Sequence, residues 1–226
     1  MINIWKRDGR NSIKGKIGIL FLIGIFTTFS SIDLSGFFNV RIPFPKNMNA
    51  DEFISYVYVI LAIFVIVLAI SLVSMLIAAP FKLSKHYVYL KVSRGEKVRF
   101  VDAFYGFKDY GSSVKLYFMT NLYIFLWSCL FIVPGVVAGY KYSFAFYHLA
   151  DNKGASTRDC INRSEEITYG FKKELFALDL SFIGWNLLAI LTLGILGIWV
   201  SPYYQASHAS AYIDLSNDEC IEAIAS

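Results

Sequence analysis

The 226-residue chain is poor in charge: 17% of its residues are Asp, Glu, Lys or Arg, where soluble domains average about 25%. It has only three cysteines, Cys129, Cys160 and Cys220, with no C-x-x-C spacing, which removes a disulfide framework and a thiolate metal centre. No two of its three histidines stand four apart, so a helical two-histidine metal site is absent as well. G-x-S-x-G, a Walker-type phosphate loop and H-E-x-x-H are all missing, and the chain reads as non-enzymatic, with no cofactor and no catalytic residues. So little polar surface cannot cover a water-soluble globule of this size.

What the chain has instead is apolar mass. Hydrophobic residues make up 56%, with 20 Phe, 15 Tyr and 4 Trp, and mean hydropathy is +0.52. A bilayer core of roughly 30 Å needs about 20 apolar helical residues per crossing. Apolar runs lie at residues 17–32, 53–79, 117–133, 136–149, 175–192 and 198–213. The Pro134-Gly135 pair and the stretch 193–197 read as tight turns between the later pairs. The expected fold is all-α: a polytopic membrane protein with six transmembrane helices arranged as three hairpins.

Of the 21 Lys and Arg residues, 19 fall in the N-terminal segment, in 82–115 or in 141–173; Arg41 and Lys46 are the exceptions. Basic residues near span ends stay on the cytoplasmic side. Both termini are therefore expected inside, with loop 33–52 outside and the chain in a plasma membrane. The net charge of +4 reads as topology plus attraction to anionic lipid, and a nucleic-acid partner is excluded. The first apolar run lacks a small-residue cleavage site and is expected to remain as a span.

The inner segments are amphipathic. Residues 94–113 place Arg99, Asp102, Gly106 and Asp109 three or four apart, with Phe100, Phe104 and Phe107 on another side. In 155–172, Ser156 with Asp159 forms a helix-start signal, and Cys160, Ile161, Ser164, Ile167, Thr168 and Phe171 share a side. Residues 1–15 hold a third such helix, weakened by Gly9. The expected order is thus an interfacial segment at 1–15, a hairpin at 16–91, an interfacial helix at 94–113, a hairpin at 114–150, an interfacial helix at 155–172, a hairpin at 173–215 and a tail at 216–226. This is a threefold internal repeat. Lys16, Lys115 and Lys173 lead the outward spans, while Pro80-Phe81-Lys82, Gly139-Tyr140-Lys141 and Pro202-Tyr203-Tyr204 align on the returns. The alignment carries the second helix through Pro80 towards Lys91, whereas hydropathy alone ends it near Ala79.

Ionisable residues in spans cost about 2.5–3.5 kcal/mol on insertion scales and mark candidate sites. Asp179, Asn121, Lys82, Lys141 and Tyr204, with Gln205, His86, His148 and His208 nearby, would line a polar cavity if the returning helices converge. Helix–helix hydrogen bonding and snorkelling are the competing explanations. Phe37, Phe38, Arg41 and Phe44 make the outer loop a candidate partner surface.

The stretch from Glu174 to Trp185, then Leu191-Thr192-Leu193-Gly194-Ile195 and Trp199-Val200-Ser201-Pro202-Tyr203-Tyr204, resembles a bacterial integral-membrane family labelled domain of unknown function 975. So do Phe131-Ile132-Val133-Pro134-Gly135, Leu149-Ala150-Asp151-Asn152 and the segment from Arg94 to Lys108, so that the resemblance covers roughly residues 80–215. It implies a six-span protein found mostly in Gram-positive bacteria, with no established activity to carry over. The functional expectation is a membrane protein that binds lipid, a peptide or a membrane-protein partner, possible roles including immunity. The alternative is a small transporter or lipid-handling protein built around the polar cavity.

Overall fold

The computed structural model describes residues 1–16, 18, 20, 49–192 and 196–217. Most of run 17–32, the loop residues Phe37, Phe38, Arg41 and Phe44, and Cys220 in the tail lie outside the described residues. Among the described residues every regular element is a helix: α1 (Ile2–Ile13), α2 (Ala50–Ser93), a 3-10 segment (Phe100–Phe107), α3 (Tyr110–Leu130), α4 (Ile132–Lys141), α5 (Ala145–Asp151), α6 (Thr157–Thr168), α7 (Lys172–Leu191) and α8 (Gly197–Ser216).

α2 continues through Pro80 as one helix of 44 residues, about 66 Å at roughly 1.5 Å per residue. Proline removes one backbone donor from the ladder, the one that would reach the carbonyl four residues earlier; one turn further on, the Ser84 hydroxyl donates to the Pro80 carbonyl at 2.9 Å. The helix has two environments. From Phe53 to Ile77 most of its large side chains are exposed and none is buried, whereas Ala79, Leu83 and Val88 are completely buried. α2 from Phe53, and α7, are the two described helices long and apolar enough to cross a membrane.

The same division runs through the molecule. The far end of α3, the start of α4 and the far end of α7 expose Phe125, Leu126, Phe131, Val133, Ile190 and Leu191. The opposite ends close into two cores, one around Trp5, Val88, Phe144, Phe182 and Tyr212, the other around Leu83, Leu116, Phe146 and Cys160. Between α3 and α4 the chain breaks at Phe131, in extended backbone, three residues before the expected turn. Pro134 falls instead in the first turn of α4, where its missing N–H is harmless. Gly135 admits close approach, since a Cβ there would collide with the Ser128 hydroxyl.

The amphipathic segments seat on returning helices through close approaches. α1 lies on α8: Trp5 is buried and donates Nε1–H to Asp214 at 2.7 Å, and a Cβ on Gly9 would stand 2.7 Å from the Ser207 backbone nitrogen. The glycine that weakens α1 as a helix is thus what lets it dock. The 3-10 segment lies on α2, where a Cβ on Gly106 would overlap the Pro80 carbonyl oxygen and the Gly106 N–H donates to Ser84 Oγ at 2.8 Å. α6 starts at Ser156, whose Oγ accepts from the Asp159 N–H, and buries Cys160, Ile161, Ser164, Ile167 and Thr168. Ser164 serves the gap between α4 and α5, accepting from the Phe144 N–H at 3.1 Å and donating to the Lys141 carbonyl at 2.8 Å. Backbone groups freed by the helix break are thereby satisfied without water.

Candidate functional site

α2, α4, α5 and α8 converge on an open cleft of about 380 Å3, which Asp179 enters from α7. α2 contributes Lys82, Lys85 and His86. Their i, i+3, i+4 spacing places all three on one side of that helix. α4 contributes Gly139 and Tyr140, and α8 contributes Tyr204, Gln205 and His208.

Asp179 is held from three sides. The Tyr140 hydroxyl donates to Oδ2 at 2.6 Å, His208 Nε2 donates to Oδ1 at 2.7 Å, and the Tyr204 side chain also hydrogen-bonds the carboxylate. A partly buried carboxylate is stabilised by such donors. The lysines differ: neither Lys82 nor Lys85 has a carboxylate partner among the described residues. Lys82 Nζ instead lies 4.6 Å from the centroid of Phe146 and 5.1 Å from that of Tyr117, a cation–π arrangement. His86 donates Nδ1–H to the Lys82 carbonyl at 2.7 Å and stacks on Phe146, which fixes the ring's orientation in the cleft wall.

Of the five polar candidates, Asp179, Lys82 and Tyr204 meet in this cleft, and the other two do not. Asn121 is exposed on α3 and donates to the Tyr117 carbonyl at 2.7 Å, one turn back on its own helix. Lys141 turns to Glu165 on α6 at 2.6 Å and borders a separate cavity with Trp127, Val137 and Lys172. Tyr140 and Lys85 join the cleft without having been among those candidates. In the sequence Tyr140 stands out only as part of an aligned return motif, whereas Lys85 carries a signal in its helical spacing from Lys82. Among the described residues no group of three His, Cys, Asp or Glu side chains could hold a metal ion.

No curated protein and no solved structure matches the chain. The match to a known family begins where α3 gives way to α4 and takes in Tyr140, Asp179, Tyr204 and His208, leaving the α2 lysines outside it. Residues 131–219 match the family model described as a protein of unknown function, DUF975, so this stretch of the chain is similar to that family.

Proposed function

We propose that the chain is a non-enzymatic, multi-pass membrane protein that binds a membrane amphiphile in the cleft at the inner ends of its helices. The observation that carries this reading is the position of the polar cleft immediately inside a belt of exposed apolar residues. Lys82 follows Ile77, the last large exposed side chain of α2, by five positions, and Val136 at the cleft wall is itself exposed. A polar headgroup would sit among the cleft side chains while its apolar tail ran along the belt. An exposed apolar surface of that extent has no stable place in water. The aromatic side chains of Phe100, Phe104 and Phe107 are exposed on the 3-10 segment beside Pro80, which suits the same interfacial level.

The packing between segments also supports a threefold construction. The 3-10 segment seats on the return helix of the first unit, α6 on the return of the second, and α1 on α8, the return of the third. Such a ring would converge the three returns on one axis, where the cleft lies. The six-span arrangement, the cytoplasmic placement of both termini and the plasma-membrane location belong to this reading, and rest on the six apolar runs and on the 19 basic residues confined to the N-terminal segment, 82–115 and 141–173.

Gly139 supplies the test. A Cβ there meets nothing within 4 Å and its position lines the cleft, so Gly139→Leu starts a bulky side chain from an unobstructed point and directs it at the cleft. Native mass spectrometry of protein gently released from its own membrane should find bound lipid on the original chain and little on the variant. Equal lipid on both would remove the cleft from the binding reading.

A further inference from the structure

We propose that the cleft is selective for an anionic, phosphate-type headgroup, recognised by Lys82, Lys85 and His86. This inference rests on the amphiphile-binding reading and names the chemistry of its ligand. Three features of the cleft decide the sign of the charge. Asp179, the carboxylate in its lining, already accepts from Tyr140, His208 and Tyr204, so a cation entering the cleft would have to displace donors from it. Lys82 and Lys85 have no carboxylate partner among the described residues, which leaves two ammonium groups and their donors for an incoming anion. His86 is one position beyond Lys85 on the same side of α2, and its Nδ1 is committed to the Lys82 carbonyl, so Nε2 is the nitrogen left for a ligand.

The three side chains form a bank on one helix, and a phosphate with several acceptor oxygens can engage more than one of them at once. A zwitterionic headgroup would place its own ammonium against that bank and lose the advantage. The exposed Val136 in the cleft lining favours a lipid-borne phosphate over the free ion, since the tail then has apolar surface to follow.

The test uses the full chain in mixed micelles holding equal amounts of phosphatidylglycerol and phosphatidylcholine, with bound lipid read by native mass spectrometry. The chain should retain phosphatidylglycerol about tenfold over phosphatidylcholine, the scale of one charge-assisted hydrogen bond. Lys82→Gln with Lys85→Gln should bring that ratio near unity, and Lys82→Arg with Lys85→Arg should keep it. If the double glutamine variant does not fold, Lys85→Gln alone should lower the ratio. An equal ratio in the original chain overturns the headgroup selectivity while leaving the cleft as a lipid site. Binding of neither lipid, or binding indifferent to Gly139→Leu, removes the amphiphile reading itself. Displacement of phosphatidylglycerol by millimolar inorganic phosphate, with no tail required, would identify the free anion as the ligand and overturn the lipid source.

Discussion

At the scale of single residues, burial and hydrogen bonding decide what each polar group can do. Asp179 is satisfied by hydroxyl and imidazole donors. Asp179→Asn would turn an amide N–H towards one of those donors, so it should cost about 1–3 kcal/mol of stability, read as a lower unfolding temperature in detergent. An unchanged midpoint would mean that the carboxylate is not what organises Tyr140, Tyr204 and His208. Cys160 is fully buried on α6, and burial pushes its thiol up from about 9 to about 11. In a variant lacking Cys129 and Cys220, maleimide should therefore leave Cys160 unmodified in the folded protein near neutral pH and label it after unfolding. Because the folded state holds this proton more tightly, the stability tied to Cys160 is present below about 9 and is lost as pH rises towards about 11.

Elements meet at a few places where a methyl group is too large. Gly106→Ala would drive a Cβ into the Pro80 carbonyl, an atom of the α2 backbone that cannot move aside. It should destabilise by at least about 1–3 kcal/mol through overpacking. Gly111, near the start of α3, has open space, and Gly111→Ala should be neutral or stabilising by up to about 1 kcal/mol. Thermal denaturation of the pair separates close packing from generic glycine effects; equal midpoints would show that the 3-10 segment is not clamped to α2. The packing of α1 on α8 obeys the same logic. Trp5→Ala should cost about 3–5 kcal/mol, visible as earlier proteolysis within the first 13 residues.

For the whole molecule, the decisive property is the separation of a closed, hydrogen-bonded end from an end whose large side chains face outward. Phe53, Tyr58, Phe64 and Leu72 are exposed along α2, while every large side chain of that helix from Leu83 to Leu90 is at least partly covered. A lipid-soluble photoreactive probe in native membranes should therefore modify residues 53–77 heavily and residues 83–93 hardly at all. Even modification over both stretches would contradict a bilayer boundary near Pro80. A cysteine placed at the exposed Lys153 should react with an impermeant maleimide only after the cells are opened. Reaction in intact cells would reverse the orientation drawn from the basic residues.

Helical class, the long apolar runs and the start of α6 at Ser156 were legible in sequence because each depends on local composition and spacing. The continuation of α2 past Pro80 was legible only through alignment of the return segments, since hydropathy falls away where the helix passes from exposed to buried surroundings. Lys82, Asp179 and Tyr204 stood out one by one as polar groups in apolar stretches. Their meeting in a cleft, and the departure of Lys141 to Glu165 and of Asn121 to its own backbone, could not be read from the chain. Those outcomes depend on which helices come within a few ångströms of one another, and that is set by close approaches such as Gly106 on Pro80 and Gly9 on Ser207. The helices and their apolar character are written in the local sequence, because they follow from residues near in the chain. The tertiary structure alone decided which charges are satisfied and which are left for a ligand, because that depends on partners tens of residues away.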